Sequence, residues 1–596
     1  MKWGWKRPAR RILTSGLGLG LLVGMLGVVI NPWGVMLRLE TSLGLDWLFA
    51  IRGPRSAPAD VMVIAIDDRS AKTLGLPSDT AEWSRDLHAR LVNRLQAMGA
   101  AVIVFDMAFE DTHDPEGDSA FAEALEKSGR VVLFQRLSRP RLSDLGSDDP
   151  GLEDQVRSER LEPVLDAFRS KAAGIGPFPL PKVPVRIDQY WTFKQGAGDA
   201  ATLPVVALHV FAKDTLTDYR ARIGYSARNI DTPRESLDHD ADSLRQHLST
   251  NPTMADSVRA QLLGVASNPP DRSRELMLAL FDVHVGPPHR YLDFFGPPRT
   301  VPTFSYAAAL TDAIPPLHGK AVFIGASSAY QPVQQDGFFT VFSQDDGTDL
   351  AGVEIAATAF ANLLERRSVR PLPPLQETML LLGLGLALGL ILRGLPLAWA
   401  IPCAAFVGAG YVGSACALFS HNGLWLPLIT PVVIQLPLAI GVTLYLSYAR
   451  SQQDHTTLQR TFSRYLPPRV VQDLVDHPDA VGPAPRIANG VCLSTDAQKF
   501  STLAERLPPN EMRALLNRYF KVLFRPVERR AGFVSNVFGD SMVALWVSAQ
   551  PDLESRRQAC LAALDILEDV DRFNREETTN ALPTRIGVHC GELVLG

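Results

Sequence analysis

Gly532-Phe533-Val534-Ser535-Asn536-Val537-Phe538-Gly539-Asp540-Ser541-Met542-Val543-Ala544 reads as a β-hairpin. Gly532–Val537 and Met542–Trp546 are β-branched and aromatic runs, and Phe538-Gly539-Asp540-Ser541 between them is a turn signal. Upstream, Val491–Ser494 is a short strand that ends at Asp496. Ser501–Phe524 is an amphipathic helix, with Leu503, Met512, Leu515, Leu516, Tyr519 and Phe520 recurring at helical spacing. Downstream come a second amphipathic helix over Arg557–Phe573 and a strand over Arg585–His589, leading into Gly591-Glu592. Strand, helix, hairpin, helix, strand makes an α+β unit over residues 487–596.

Two aspartates carry the chemistry of this unit. Asp496 follows a buried strand and Asp540 sits in a tight turn. Hard divalent cations take carboxylate oxygens, and Mg²⁺ accepts one or two from protein plus phosphate oxygens. Carboxylates on neighbouring strand ends could hold a metal pair that clamps a phosphoryl group. Turn-forming aspartates are the ordinary alternative for the same residues.

The flanking residues resemble a known family. Leu493-Ser494-Thr495-Asp496-Ala497-Gln498-Lys499-Phe500-Ser501 resembles the first metal motif of class III nucleotide cyclases. The hairpin quoted above resembles their second motif, and Ile586-Gly587-Val588-His589-Cys590-Gly591-Glu592 resembles the strand that follows it. Phe462–Pro467 is similar to the sequence preceding such domains. The resemblance implies a ferredoxin-like fold and two Mg²⁺ or Mn²⁺ ions on Asp496 and Asp540, with help from the Ala497 carbonyl. It implies a triphosphate cradle at Lys499, Phe500 and Ser501, and a homodimer. Family sites form between two subunits that lend each other residues, and a homodimer of this chain as written has metal-binding halves without the complementary ones. A nucleoside triphosphate, ATP ahead of GTP, is converted to a 3′,5′-cyclic nucleotide and pyrophosphate. Two positions depart from the family pattern. Asn536 stands where a base-reading Lys is usual, and Lys499 stands where Gly is usual. Further family residues fall beyond the position of Gly596, so the domain reads as cut short. A signalling receptor with a non-catalytic dimerisation or nucleotide-binding module is the alternative.

Outward from this unit the chain becomes apolar. It has 596 residues, 46% hydrophobic and 21% charged, with a net charge of −5, and the apolar residues fall in long blocks. High hydrophobicity and low net charge exclude disorder, and the mild acidity with no basic stripe argues against nucleic acid. The cysteines are Cys403, Cys416, Cys492, Cys560 and Cys590, so no disulfide scaffold forms before Cys403. Ile12–Leu37 carries no charge and follows Lys2, Lys6, Arg7, Arg10 and Arg11. It reads as an uncleaved anchor with a cytoplasmic amino terminus rather than a signal peptide. Thr378–Leu392, Gly394–Phe419 and Gly423–Ala449 are three further blocks. The expected division is a basic end (1–11), an anchor (12–37), an extracytoplasmic domain (38–375), three spans (376–449), a cytoplasmic linker (450–486) and the α+β unit. Four helices in a bacterial inner membrane, contacting lipid, follow. Gly16, Gly18, Gly20, Gly24, Gly383, Gly385 and Gly389 read as close helix-packing positions. The polar linker reads either as a relay of motion from the membrane or as a passive spacer.

Residues 38–375 alternate strand and helix signals. Val61–Ile66 and Ala101–Phe105 are buried strands that end at Asp67-Asp68 and Asp106. A helix follows each, the second over Phe121–Glu126, and Arg130–Phe134 is a third strand, which predicts a parallel α/β sheet. Ligands bind such sheets at the carboxyl ends of strands. Asp67, Asp68 and Asp106 are therefore candidate sensing residues, with helix capping as the ordinary alternative. The middle, about 138–300, carries helical patches near Leu152–Phe168 and Ala255–Leu280. Val63-Ile64-Ala65-Ile66-Asp67-Asp68, Trp83-Ser84-Arg85, Phe295-Gly296-Pro297-Pro298 and Gly352-Val353-Glu354-Ile355-Ala356 resemble a CHASE domain of the second type. That resemblance implies an extracytoplasmic sensor for an unidentified ligand, followed by three spans and a cytosolic output module.

Overall fold

The structure is a computed structural model. It describes residues 16–77, 82–138, 159–180, 186–225, 237–264, 271–311, 314–327, 337–343, 349–462, 486–577 and 579–595. The basic amino-terminal cluster, Phe462–Pro467 beyond Phe462, and the first part of the Leu152–Phe168 patch lie outside these residues. The chain divides into two compact units, Met1–Leu444 and Tyr445–Gly596.

The first unit begins with helix α1 (Gly16–Ile30), then helix α2 (Gly34–Arg52), bent by 80° from it. Pro32 lies at the bend, where it removes a backbone donor and its ring clashes with the preceding turn. The single anchor expected over Ile12–Leu37 is therefore two helices. Among the described residues, three helices are long and apolar enough to cross a membrane, Pro374–Gly394, Leu397–Asn422 and Ile429–Arg450. That corrects the expectation of four separate spans: the bent pair passes the same test only when taken together. The bend is tied down by polar groups. Asn31 donates to Glu377 at 2.7 Å and accepts from Thr430 at 2.8 Å. The Glu40 carboxylate accepts from the backbone of Leu428 and, at 2.8 Å, of Ile429.

The sheet of this unit is all parallel. Strands β1 (Val61–Ile66), β2 (Val102–Ala108), β3 (Val131–Phe134), β4 (Gly174–Gly176), β7 (Thr303–Ser305) and β8 (Ala321–Ala326) lie in the order β7-β1-β8-β2-β3-β4. Two more strands, β5 (Gln189–Trp191) and β6 (His289–Tyr291), form a separate antiparallel pair. A sheet buried on both faces needs apolar residues at successive positions, which is why Val61–Ile66 shows no polar alternation. Met62, Ile64, Ile103 and Phe105 face helices α4 (Arg85–Ala97) and α5 (Pro115–Ser128). Val61, Val63, Val102 and Val104 share the opposite core with helices α6 (Leu203–Phe211), α8 (Arg272–Val285) and α9 (Gly352–Leu364). Helix α3 (Asp68–Leu74) follows β1, and α7 (Pro252–Gly264) precedes α8. At the edge of the second core, the Asp293 side chain is fully buried. It pairs with Arg52, with Arg55 at 3.7 Å and with Arg367 at 2.7 Å. Arg367 also donates to the Ser420 carbonyl.

Strand β9 (Arg370–Pro371) leads into the membrane-type helix α10 (Pro374–Gly394). Helix α11 (Leu397–Asn422) follows, and strand β10 (Leu424–Trp425) returns to pair in parallel with β9. Helix α12 (Leu436–Phe462) continues from the apolar stretch into the polar segment after Arg450. Helices α1 and α10 meet through glycines. A Cβ on Gly20 would lie 2.7 Å from Leu386 Cα, and one on Gly385 would lie 2.5 Å from Gly24 Cα. Gly383 faces open space.

The second unit is a four-stranded antiparallel sheet. Strands β11 (Arg486–Ala497), β12 (Phe533–Phe538), β13 (Ser541–Ser548) and β14 (Thr584–Leu595) lie in the order β12-β13-β11-β14. With helices α14 (Pro509–Arg529) and α15 (Leu553–Glu576) this is the βαββαβ ferredoxin-like arrangement. The helices cover one face: Val491, Leu493, Leu515, Tyr519, Ala544, Ala562 and Ile566 share a core. The single helix expected over Ser501–Phe524 is instead α13 (Phe500–Arg506) and α14, broken at Leu507-Pro508. Pro508 disfavours helical backbone before it, and Pro509 occupies the first position of the next helix.

Candidate functional site

Strand β11 alternates across its sheet. Leu493, Thr495 and Ala497 turn towards the helices, so Asp496 faces the open side at the end of the strand. The hairpin brings Asp540 to the same place. Phe538 pairs with Ser541 across the two-residue turn Gly539-Asp540, and Gly539 holds a φ of +61° that side chains disfavour. The register then aligns Thr495 with Met542.

Contacts at this end of the sheet lock the two aspartates together. The backbone N–H of Ala497 donates to Asp540 Oδ2 at 3.2 Å. The Ser541 hydroxyl lies 3.4 Å from Asp496 Oδ1. Met542 N–H donates to Thr495 Oγ1 at 3.1 Å. On the other side of β11, Asp496 is opposite Arg585 and Ala497 is opposite Thr584. The structure thus unites two residues 44 positions apart in sequence.

Lys499, Phe500 and Ser501 follow at once. Lys499 has a φ of +64°, left-handed for a residue that is not glycine, and it precedes the first turn of α13. Phe500 is half-buried against the core, while Ser501 is exposed. Asn536 lies on edge strand β12, after an irregularity in register between Val534 and Asn536. It is opposite Val543, which is opposite Ser494, so Asn536 shares the open face with Asp496.

Tyr519 was legible only as a core position on a helix. Its hydroxyl hydrogen-bonds Thr584 Oγ1 at 2.8 Å. Burial pushes the phenol up to about 12; the Thr584 hydrogen bond lowers it, while the charges of Asp540 and Asp496 raise it. Both carboxylates are therefore felt at this ring. Among the described residues there is no cluster of three or more His, Cys, Asp and Glu suited to a metal. Two carboxylates with open coordination fit a hard divalent ion that completes its shell with phosphate and water.

The sensing candidates are arranged differently. The Asp67 carboxylate accepts from Ser70 N at 2.8 Å and Ser70 Oγ at 2.6 Å, capping α3, and Arg299 approaches to 3.9 Å. Asp68 is the first residue of α3. Asp106 lies inside β2, since that strand continues to Ala108, and is opposite Gly325. Asp67 thus performs the capping role that was its ordinary alternative.

Residues 19–391 match the CHASE2 domain, and residues 485–596 match the adenylate and guanylate cyclase catalytic domain. Adenylate cyclase 1 of Rhizobium meliloti (strain 1021) is 30% identical over 139 residues, which cover 23% of this chain and 21% of that protein. Adenylate cyclase of Anabaena cylindrica is 25% identical over 111 residues, covering 17% and 21%. The chain therefore aligns with about a fifth of the length of each relative. A bacterial light-regulated adenylyl cyclase of known structure shares 31% identity, over 18% of this chain and 56% of that one, with a TM-score of 0.17. The guanylyl cyclase Cya2 shares 21%, over 19% and 58%, with a TM-score of 0.18. The chain belongs to the CHASE2 domain family, and it carries an adenylate and guanylate cyclase catalytic domain after its membrane-type helices.

Proposed function

We propose that this protein is a membrane receptor that senses an extracytoplasmic signal and makes a 3′,5′-cyclic nucleotide from ATP in the cytoplasm. The observation that carries the reading is the meeting of Asp496 and Asp540 at one sheet end, within residues that match a cyclase catalytic domain. The names of the two relatives favour ATP over GTP. In this reading residues 38–375 lie outside the bacterial inner membrane and residues 487–596 inside. The basic residues before the first apolar block support that orientation.

Asp496 and Asp540 hold Mg²⁺ or Mn²⁺ ions, with the Ala497 carbonyl as a further oxygen. Bound ions of this kind supply charge neutralisation and lower the pKa of an attached hydroxyl. The chain's own part is positional. The Ala497 N–H and the Ser541 hydroxyl fix the two carboxylates in place before substrate arrives. Lys499 brings a cation beside the polyphosphate, and Phe500 anchors the loop that carries Ser501. Asn536 offers an amide to the base edge. The ribose 3′-hydroxyl gives its proton to water, its oxygen attacks the α-phosphorus in line, and the bond to the departing pyrophosphate breaks. The cyclase domain pairs with that of a second subunit, as such domains often do.

Protein extended through the whole catalytic domain, placed in nanodiscs and given Mn²⁺ with either ATP or GTP, is expected to form cyclic AMP in preference to cyclic GMP. Asp496→Ala and Asp540→Ala should each lower turnover by about 100-fold or more without changing the circular dichroism spectrum. Activity persisting in Asp540→Ala would remove the metal assignment. Absence of turnover with either nucleotide would leave a non-catalytic dimerisation or nucleotide-binding module.

A further inference from the structure

A cavity of about 560 Å³ opens in the CHASE2 unit between α7, α8, β6 and the segment that leads to β9. Its lining includes Arg259, Arg290, Arg366 and Arg370, against one carboxylate, Asp282. Arg259, Arg290 and Arg370 come from α7, β6 and β9, so their convergence is a product of the fold, while Arg366 lies four residues before Arg370. Asp282 is already engaged: Arg366 Nε donates to its Oδ2 at 2.6 Å, and Arg290 donates to its backbone carbonyl. The Arg290 Nε is buried and finds no acceptor among the described residues. Arg366 holds a φ of +54°, a strained conformation for a side-chain-bearing residue. Phe281, Tyr291 and Val369 give the same cavity an apolar wall.

Like charges gathered around a void with one committed counter-charge repel each other, and a multivalent anion relieves that repulsion. Guanidinium forks match phosphate oxygens in pairs, and their hydrogen bonds are charge-assisted. We propose that this cavity binds a phosphate-bearing ligand, held by Arg259, Arg290 and Arg370, with an apolar portion against Phe281 and Tyr291. The ligand's phosphate is either that of a free phosphorylated compound or that of a phospholipid headgroup. Arg370 begins β9, and α10 starts at Pro374, so the ligand touches the strand that enters the membrane-type hairpin. This deepens the sensor reading and rests on it for the ligand's role as a signal.

Binding is measured apart from cyclase activity, so the two readings fail separately. Full-length protein in nanodiscs is titrated with glycerol phosphate in EDTA, which keeps divalent ions from the catalytic domain. In a second arm, thermal midpoints are compared in phosphatidylglycerol and phosphatidylcholine discs. The expected result is saturable binding or lipid-dependent stabilisation. Arg259→Gln and Arg370→Gln, both at exposed positions, should each weaken it about tenfold. Stabilisation by phosphatidylglycerol without glycerol phosphate binding identifies a lipid headgroup; the reverse identifies a free phosphorylated compound. No response in either arm would overturn the proposal, as would unchanged binding in both variants or tighter binding of citrate than of glycerol phosphate.

Discussion

Lys499 holds a left-handed backbone in the loop between Ala497 and α13. The Cβ of a side chain costs about 1–2 kcal/mol there. Lys499→Gly is expected to be neutral or to stabilise by up to about 1 kcal/mol, because glycine's extra unfolded-state freedom offsets part of the relief. Lys499→Val should destabilise by about 1–2 kcal/mol, since a β-branched residue tolerates this conformation least. Chemical denaturation followed by hydrogen exchange across residues 497–506 reads both, and a valine variant as stable as wild type would refute the strain. His88 offers a second residue-scale test. Its ring is buried among Phe105, Phe109 and Phe121, with Nδ1 2.8 Å from the Tyr306 hydroxyl. Burial, helped by the Arg85 charge, lowers its pKa from 6.5 to about 4. The unfolded ring therefore binds a proton before the folded one does. The stabilising contribution is whole above pH 6.5 and is lost as pH falls towards 4, amounting to about 3 kcal/mol. Burial lowers His209 and His284 in the same direction. His88→Phe should cost stability at pH 7 by orphaning the Tyr306 hydroxyl, yet flatten the slope between pH 6.5 and 4; an unchanged slope would exclude His88 as its source.

At the scale of elements, α1 and α10 approach so closely that backbone meets backbone. Lipid supplies no hydrophobic drive for helix association, so such contacts depend on packing and on small residues. Gly20→Ile should destabilise the pair by about 1–3 kcal/mol, while Gly383→Ile, in open space, should be silent. The thermal midpoint in nanodiscs distinguishes them, and equal effects would contradict the interface. Much of this level was legible from residue order. The run Val61–Ile66, the hairpin at Gly539-Asp540 and the packing glycines carry local signals strong enough to read. Pro508 and Pro32 were legible as residues, but their effects were not, because amphipathic or apolar patterns ran across both. The length of β11 was also hidden. Its first residues, Arg486–Asn489, gain their strand conformation from pairing with Leu595–Glu592, which no local pattern announces.

Across the whole CHASE2 unit, Asp293 gathers Arg52, Arg55 and Arg367 at a position with no exposed side-chain surface. Asn362 completes it by exchanging hydrogen bonds with the Asp293 backbone at 2.8 and 3.1 Å. Removing one partner of a buried ionic cluster costs about 3–5 kcal/mol, since the remaining charges stay buried. Asp293→Ala should lower the unfolding midpoint of this unit accordingly, as followed by calorimetry of the full-length protein. A loss below about 1 kcal/mol would show that water replaces the carboxylate. Assemblies of this kind were not legible in the sequence. Arg52, Asp293 and Arg367 sit in segments with no shared motif, as do Arg259, Arg290 and Arg370. The pairing of Asp496 with Asp540 was legible only because their flanks resemble a family, while Tyr519 showed its apolar ring and concealed its polar tip.

The two-strand clasp between β9 and β10 has a mechanical consequence. It joins the chain just before α10 to the chain just after α11. With both feet of that hairpin pinned to each other, neither helix slides along the other at this end. A displacement delivered to Arg370 or Trp425 is shared by the pair, and the hairpin moves as one lever.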